Sequence, residues 1–474
     1  MNTSIGSILS NATSGLRASQ AGIAVVSDNI ANAGVAGYTR KQQDVASFLV
    51  GNDSNGVRTG LVSRSVDSAL QASVWSQGSR VAALTVRSQV LTSVNAVQGM
   101  PGDGTSLADA VTGLQNGFTQ LQSDPSSAAQ QASVVAAAGT LAVAINSAAR
   151  AVNTQRNSVQ SQIGDAVTSL NAALATVRDT THDIIAAQGA GTDTATLQDR
   201  RDQALQTISG LLDVSYDVHA NGDLGIIGKN GFSIPLDSTF STASATLSPA
   251  SSAASGSIPP ILLHSSNPAE PATDVTARLS GGALGELVTL RDTVLPGYTS
   301  SLDAFAAKLS DRFASQGLQL FTDGTQAGGS TAYAGLSSAI TVNPDVAANP
   351  ALVRDGTPGT PFAVNPANGP AGYSGLIDRV LGQSFAAGGG SLAADAGAFV
   401  ARQSRDTAQT SADLTTTTAY QTTLSARFGA QSGVNVDEEM GLMIKLQNSY
   451  QANARVIQTT QSMFTALMNA TIAA

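Results

Sequence analysis

The chain predicts a mainly α protein: a long helical bundle with a discontinuous terminal coiled-coil domain and an inserted β-rich domain. Three observations carry this class. Apolar residues recur at seven-residue spacing near both ends and along residues 126–188. Ala, Ser, Thr and Gln fill long stretches, while Gly and Pro are confined mostly to particular windows. Between residues 213 and 280 the pattern changes to β-branched alternation punctuated by Asn-Gly turns.

Composition bounds the function. With 474 residues, 42% of them hydrophobic, the chain can bury sizeable cores. Its net charge of −9 is spread without like-charge blocks, and the densest basic pairs, Arg40-Lys41 and Arg200-Arg201, are too small to track phosphates. Nucleic acid is not an expected partner. The absence of cysteine excludes thiol catalysis, disulfides and Cys-ligated zinc. No Lys or Arg precedes Arg17, no apolar core of signal-peptide length follows Met1, and no later run reads as a bilayer span. Membrane insertion is therefore not expected, and export would use another signal.

Helical patterns cover residues 65–98, 107–122 and 126–188, with Pro101 and Asp124-Pro125 as breaks. In the third, Ile145, Val152 and Val159 are seven apart, as are Ile163, Leu170, Val177 and Ile184. Unbroken, this helix is a rod of roughly 95 Å at ~1.5 Å per residue. A further helix spans TATLQDRRDQALQTISGLLD, and the β-rich segment follows, with turns at Asn221-Gly222-Asp223 and Asn230-Gly231 and a loop or surface arm at SPASSAASGSIPP. Helix resumes over 285–316 with a bend near Pro296; residues 322–375 read as irregular, and helix returns from Leu392 to Phe428. The expected domains are 1–45 and 430–474, forming the terminal helical domain, 46–212 and 281–429, forming the bundle, and 213–280, the β-rich insertion.

At the N-terminus Leu9, Leu16, Ile23 and Ile30 form a seven-spaced stripe, with Ile5, Ala12, Ser19 and Val26 as companions. At the C-terminus Met443, Tyr450, Ile457 and Phe464 do the same, with Leu446 and Leu467 on that face. Burying such side chains is worth at most ~1.5–3 kcal/mol each, so the stripes need partners. The economical partner of each terminal helix is the other. Outer faces with small residues such as Ala12, Ala31, Ala452 and Ala454 suit stacking against further copies, and an intramolecular coiled-coil pair in a monomer is the alternative. Asn435 and Glu438 have the spacing of an N-cap and its reciprocal carboxylate, and Asp437, Glu438 and Glu439 suit the helix dipole. A metal site there lacks a His or a further carboxylate.

The stretch SDNIANAGVAGYTRKQ leaves the first helix. Gly34 suits a left-handed position after a helix ending near Ala33, and Gly37 permits a second sharp turn before Tyr38. Asn29 and Asn32 either bond the loop backbone or are solvated helix-end residues.

This stretch resembles the N-terminal signature of bacterial flagellar rod, hook and hook-associated proteins, an Asn-Asn-Ile-Ala-Asn-like core followed by Gly-Tyr or Gly-Phe. Asp28 stands where that family usually has Asn, and Ala36 where Pro is frequent. The C-terminal VNVDEEMGLMIKLQNSYQANARVIQTTQSMFTALMNA is similar to the matching end of the same family. Gly37-Tyr38-Thr39-Arg40 and the internal segments LQDRRDQALQTISGLLDV, GGALGELVTLRDTVLPGYTSSLDAFA and ITVNPDVAANPALVR are similar to the hook-associated branch that joins hook to filament. The resemblance implies a structural role without catalysis or cofactor. Copies would form a ring or helical layer on the hook tip, terminal helices inward, with the flagellar hook protein beneath and a second junction protein on the filament side. It also implies type III export without a cleaved signal peptide, a cytosolic export chaperone at the C-terminal helix, and an extracellular location. Two other readings are another axial component, rod or hook, and a secreted binding module on a helical stalk.

Enzyme chemistry finds no foothold. His182, His219 and His264 are scattered without a ligand or nucleophile at motif spacing. GxSxG, Walker A and GxGxxG patterns are absent, and Gly225-Ile226-Ile227-Gly228-Lys229 lacks phosphate-loop spacing.

Overall fold

The computed structural model describes residues 5–50, 53–96, 106–249, 256–267, 269–323, 334–359, 365, 369–385 and 390–472. The break expected at Pro101, the centre of the 248–260 arm and part of the irregular 322–375 region lie outside these residues.

A single helix, α1 (Ile5–Asn32), opens the chain and is followed by an antiparallel hairpin, β1 (Lys41–Val50) and β2 (Asp53–Arg64). Sequence reasoning missed this hairpin. Its pairing slips between Gln43 and Val45 and between Ser47 and Leu49, so β1 lacks the unbroken alternation that announces a strand. The domain boundary expected after residue 45 falls inside β1.

Next come α2 (Ser68–Asn95), α3 (Leu107–Ser123), α4 (Ala128–Ala190) and α5 (Ala195–Leu211). Their starts follow local chemistry: Asp67 caps α2 through Leu70 N, Ser106 and Asp109 form a capping box on α3, and Ser127 caps α4. All seven spaced residues of α4, from Ile145 to Ile184, are completely buried. Contrary to the sequence expectation, α4 is long and apolar enough to cross a bilayer by length and composition. Its apolar stripe packs instead beneath α3, α5, α6 and α7.

The insertion holds two three-stranded antiparallel sheets: β3 (Val214–Val218), β4 (Leu224–Gly228) and β5 (Ser233–Ile234), then β6 (Thr239–Thr242), β7 (Ile261–His264) and β8 (Thr273–Asp274). It has no separate core. Leu224, Ile226, Phe240, Ile261 and Val275 join the same buried cluster as the bundle. Amide side chains on α4 pin its backbone: Asn171 Oδ1 accepts from Phe240 N at 2.7 Å, and Asn171 Nδ2 donates to Phe240 O at 2.7 Å.

Helix resumes as α6 (Gly282–Thr289), passes through a π-turn over Leu290–Val294 and continues as α7 (Leu295–Ala314). Pro296 has no N–H for the helical ladder, and the wider turn just before it absorbs the loss. The irregular region contributes β9 (Phe321–Thr322) paired with β10 (Thr341–Val342), and the short helices α8 (Leu336–Ala339), α9 (Pro344–Ala348), α10 (Leu352–Asp355) and α11 (Gly375–Arg379). Phe118, Phe313, Phe321 and Phe385 pack ring to ring and close this end of the bundle. The chain then returns along α2 and α3 as α12 (Leu392–Ser432) and ends in α13 (Val436–Ile472), which lies on α1.

Candidate assembly interface

The two chain ends form one antiparallel rod. Asn29 bonds Glu439, Gly22 abuts Leu446 and Gly15 abuts Asn453, so each seven-residue step on α1 is matched by seven on α13. A Cβ at Gly22 would lie 3.1 Å from Leu446 Cδ1, and one at Gly15 would lie 2.8 Å from Asn453 Nδ2. The buried seam of α1 is therefore small: Ala12, Ser19, Gly22 and Val26, ending on Asn29. Small residues let the two backbones approach closely, and larger side chains of α13 fill the space they leave.

The expected stripe flanks this seam rather than filling it. Leu16, Ile23 and Ile30 are half-buried, and Leu9 is 38% exposed. Met443, Tyr450 and Ile457 are half-buried along the rod. Phe464 is 53% exposed, and the register carries it past Ile5, the first described residue of α1. Ala12, expected on an outer face, lies in the seam, because only a small residue fits where the helices are closest. The side chain of Leu467 lies outside the described residues.

The exit from α1 is built around Asn29, which is fully buried. Its Nδ2 donates to Lys41 O at 2.9 Å and to Glu439 Oε2 at 3.1 Å. Its Oδ1 accepts from Tyr38 Oη and from Lys41 N, both at 3.0 Å. Every donor and acceptor of the amide is used, as a buried polar group requires. The Asn32 side-chain amide donates back to Asp28 O within the helix.

Gly34 corrects the expectation of a left-handed residue: its φ is not positive. Right-handed turns continue instead through Val35 N to Asn32 O and Tyr38 N to Val35 O, postponing the reversal to Gly37. Gly37 has φ +77°, and a Cβ there would also meet Gln203 Cγ at 2.8 Å. Gln203 Nε2 donates to Ala36 O at 3.1 Å, so the turn is seated on α5.

A polar network ties this turn to three other elements. Arg40 Nε donates to Glu439 Oε1 at 2.7 Å, while the Arg40 N–H donates to Ser432 O at the end of α12. Thr39 Oγ1 donates to Asp199 Oδ1 at 2.6 Å, and Lys41 and Arg64 flank the same carboxylate at 3.7 and 3.3 Å. Arg64 also pairs with Asp202 at 2.6 Å. Burial pushes the Asp199 carboxyl above its ordinary range, against the pull of Thr39, Arg64 and Lys41. Burial, with the Asp28, Asp199 and Glu439 carboxylates adding, pushes the Tyr38 hydroxyl up to about 12.

Sequence reasoning missed Glu439, read as one of three helix-start acids. Asn435 Oδ1 does accept from the N–H groups of Asp437 and Glu438, but Glu439 turns inward. The signal was available, since Glu439 lies seven residues before Leu446 and so shares its seam position. Asp199 and Arg64 gave no such signal, because their pairing is purely tertiary. Among the described residues no group of three or more His, Asp or Glu is placed to hold a metal. The arrangement is a clasp that ties α1, the loop after it, α5, β2 and α13 together.

Residues 91–330 match the family described as "Flagellar hook-associated protein FlgK helical domain". Residues 9–39 match "Flagella basal body rod protein", and residues 428–470 match "Flagellar basal body rod FlgEFG protein C-terminal". No curated protein sequence matches the chain significantly. Among solved structures the chain is similar to the flagellar hook junction protein FlgK from Burkholderia pseudomallei, with 24% identity and a TM-score of 0.45. That match covers 56% of this chain and 46% of the other. With half of its length matched by one family and both rod-forming ends by its axial relatives, the chain belongs to the flagellar hook-associated protein FlgK family.

Proposed function

We propose that this protein is a structural, non-enzymatic component of the bacterial flagellum that joins hook to filament by self-assembly through its terminal helices. The observation that carries the reading is the antiparallel rod, which gathers both chain ends and still presents apolar side chains outward. Met440, Leu442, Ile444, Val456, Met463, Phe464 and Met468 of α13 are exposed, as are Ile8 and Leu9 of α1. Exposed apolar side chains distributed around a two-helix rod fit burial against further rods on several sides. Copies form a ring or helical layer, with the hook protein on one side and a second junction protein on the other; Leu9, Leu16, Ile23, Ile30, Met443, Tyr450, Ile457 and Phe464 contribute to the packing. The protein reaches that place by type III export, its C-terminal helix held beforehand by a cytosolic chaperone.

Deleting the gene tests this. A strain that builds hooks but releases filament protein into the medium is the expected result. The two rod-protein matches support a second reading, a rod or hook component; a strain without hooks would favour it and contradict the first.

A further inference from the structure

Between α1 and the β1–β2 hairpin lies an open groove of about 650 Å³. Leu9 and Phe48 give it apolar surface, Arg17 and Arg58 border it, and no acidic residue is among the described residues that line it. The hairpin is fixed over α1, because Val57 N donates to Ser14 Oγ at 3.2 Å. Both arginines are exposed, and among the described residues neither guanidinium takes part in a side-chain hydrogen bond or ion pair. That sets them apart from Arg40, Arg64 and Arg87, whose guanidinium groups are matched by carboxylates.

The rod carries the complementary charge elsewhere. Asp437 and Glu438 lie in the first turn of α13, exposed and without a cationic partner among the described residues, while Glu439 beside them is consumed by the clasp. In the α1–α13 register Arg17 lies opposite position 451, thirteen residues from Glu438, or about 20 Å along the rod at ~1.5 Å per residue. The two patches of one copy cannot meet.

We infer that the groove is the docking site for a second copy of this chain, whose Asp437–Glu438 turn pairs with Arg17 and Arg58. The inference rests on the self-assembly reading and deepens it. The two patches differ, so the contact is heterologous: each copy offers one of each, and repetition generates a ring or helical layer rather than a closed dimer. It also sets a stagger of about 20 Å between neighbouring rods. Exposed pairs of this kind are screened by salt and act chiefly on recognition and register.

Two variants of the full chain test it, by sedimentation velocity and by decoration of isolated hooks. One carries Arg17→Glu and Arg58→Glu, giving acidic groove and acidic turn; the other carries Asp437→Lys and Glu438→Lys, giving basic groove and basic turn. Each alone should self-associate at least ~10-fold more weakly than wild type, because like charges now meet. Mixed, they should recover assembly to within about threefold, because every contact in an alternating array is again complementary. Asp437→Asn with Glu438→Gln, which spares the start of α13, should give an intermediate loss and remove the salt sensitivity. Variants that assemble as wild type does, or a mixture that stays dissociated while both components keep wild-type helicity, would overturn the docking alone. Wild type that neither self-associates nor binds hooks would overturn the junction reading and the docking with it.

Discussion

The side-chain amide of Asn29 donates to the Glu439 carboxylate at 3.1 Å, joining residues 410 positions apart in the chain. Arg40 holds the other oxygen of the same carboxylate. One buried acid therefore fixes the end of α1, the start of α13 and the loop between α1 and the hairpin.

Replacing Asn29 with Asp keeps the shape but sets a second carboxylate against Glu439 in a buried seam. Asn29→Asp should destabilise the rod by about 3 kcal/mol or more. Adding Glu439→Gln, which exchanges the two chemistries, should recover much of the loss. Urea unfolding followed by amide exchange in α1 measures both, and a single variant as stable as wild type would contradict the clasp.

At Gly37 the order of substitution follows from backbone geometry. Alanine at φ +77° costs about 1–2 kcal/mol, and a β-branched residue costs more. Gly37→Val should therefore assemble less well than Gly37→Ala, at equal exported levels. Gln203→Ala should relieve the side-chain contact but leave the strain, so rescue of Gly37→Val should be partial.

Close approach at Gly22 predicts a size exchange. Gly22→Ala should cost about 1–3 kcal/mol by overpacking against Leu446, and Leu446→Ala in the same chain should recover part of it. Thermal unfolding of the single and double variants gives the coupling; simple additivity would show that the two positions do not touch.

These residues also show how far the sequence could be read. The long α4 was legible because its apolar residues repeat at a helical period and no Pro interrupts it between residues 128 and 190. The terminal rod was legible as two stripes, but its seam was not, since Gly15, Gly22 and Ser19 carry no hydrophobic signal and matter only through the closeness they permit. The hairpin was hidden by its register slips. The clasp was half legible: Asn29 and Tyr38 stand in a recognisable signature, whereas Asp199 and Arg64 meet only after α5 folds beside β2.

The Tyr38 hydroxyl predicts a pH dependence with a definite sign. A tyrosine whose pKa rises from 10.0 to about 12 on folding stabilises the folded loop fully below pH 10 and loses that contribution as pH climbs through about 12. Tyr38→Phe should cost about 1 kcal/mol at neutral pH through the lost bond to Asn29, and that difference should shrink toward pH 12. Unfolding midpoints of both proteins between pH 8 and about 12 test this, and a constant difference would count against it.

The central claim is that the two ends of the chain pair antiparallel in one register, and a disulfide tests it most directly because the chain contains no cysteine of its own. Gly15→Cys with Asn453→Cys places two thiols where α1 and α13 touch. Gly15→Cys with Glu439→Cys places them about 21 Å apart along α13, at ~1.5 Å per residue. Oxidation of full-length protein assembled on hooks should close the first pair within single chains and leave the second open. Closure of the second pair, or of neither, would contradict the register and with it the account of how the chain ends build the rod.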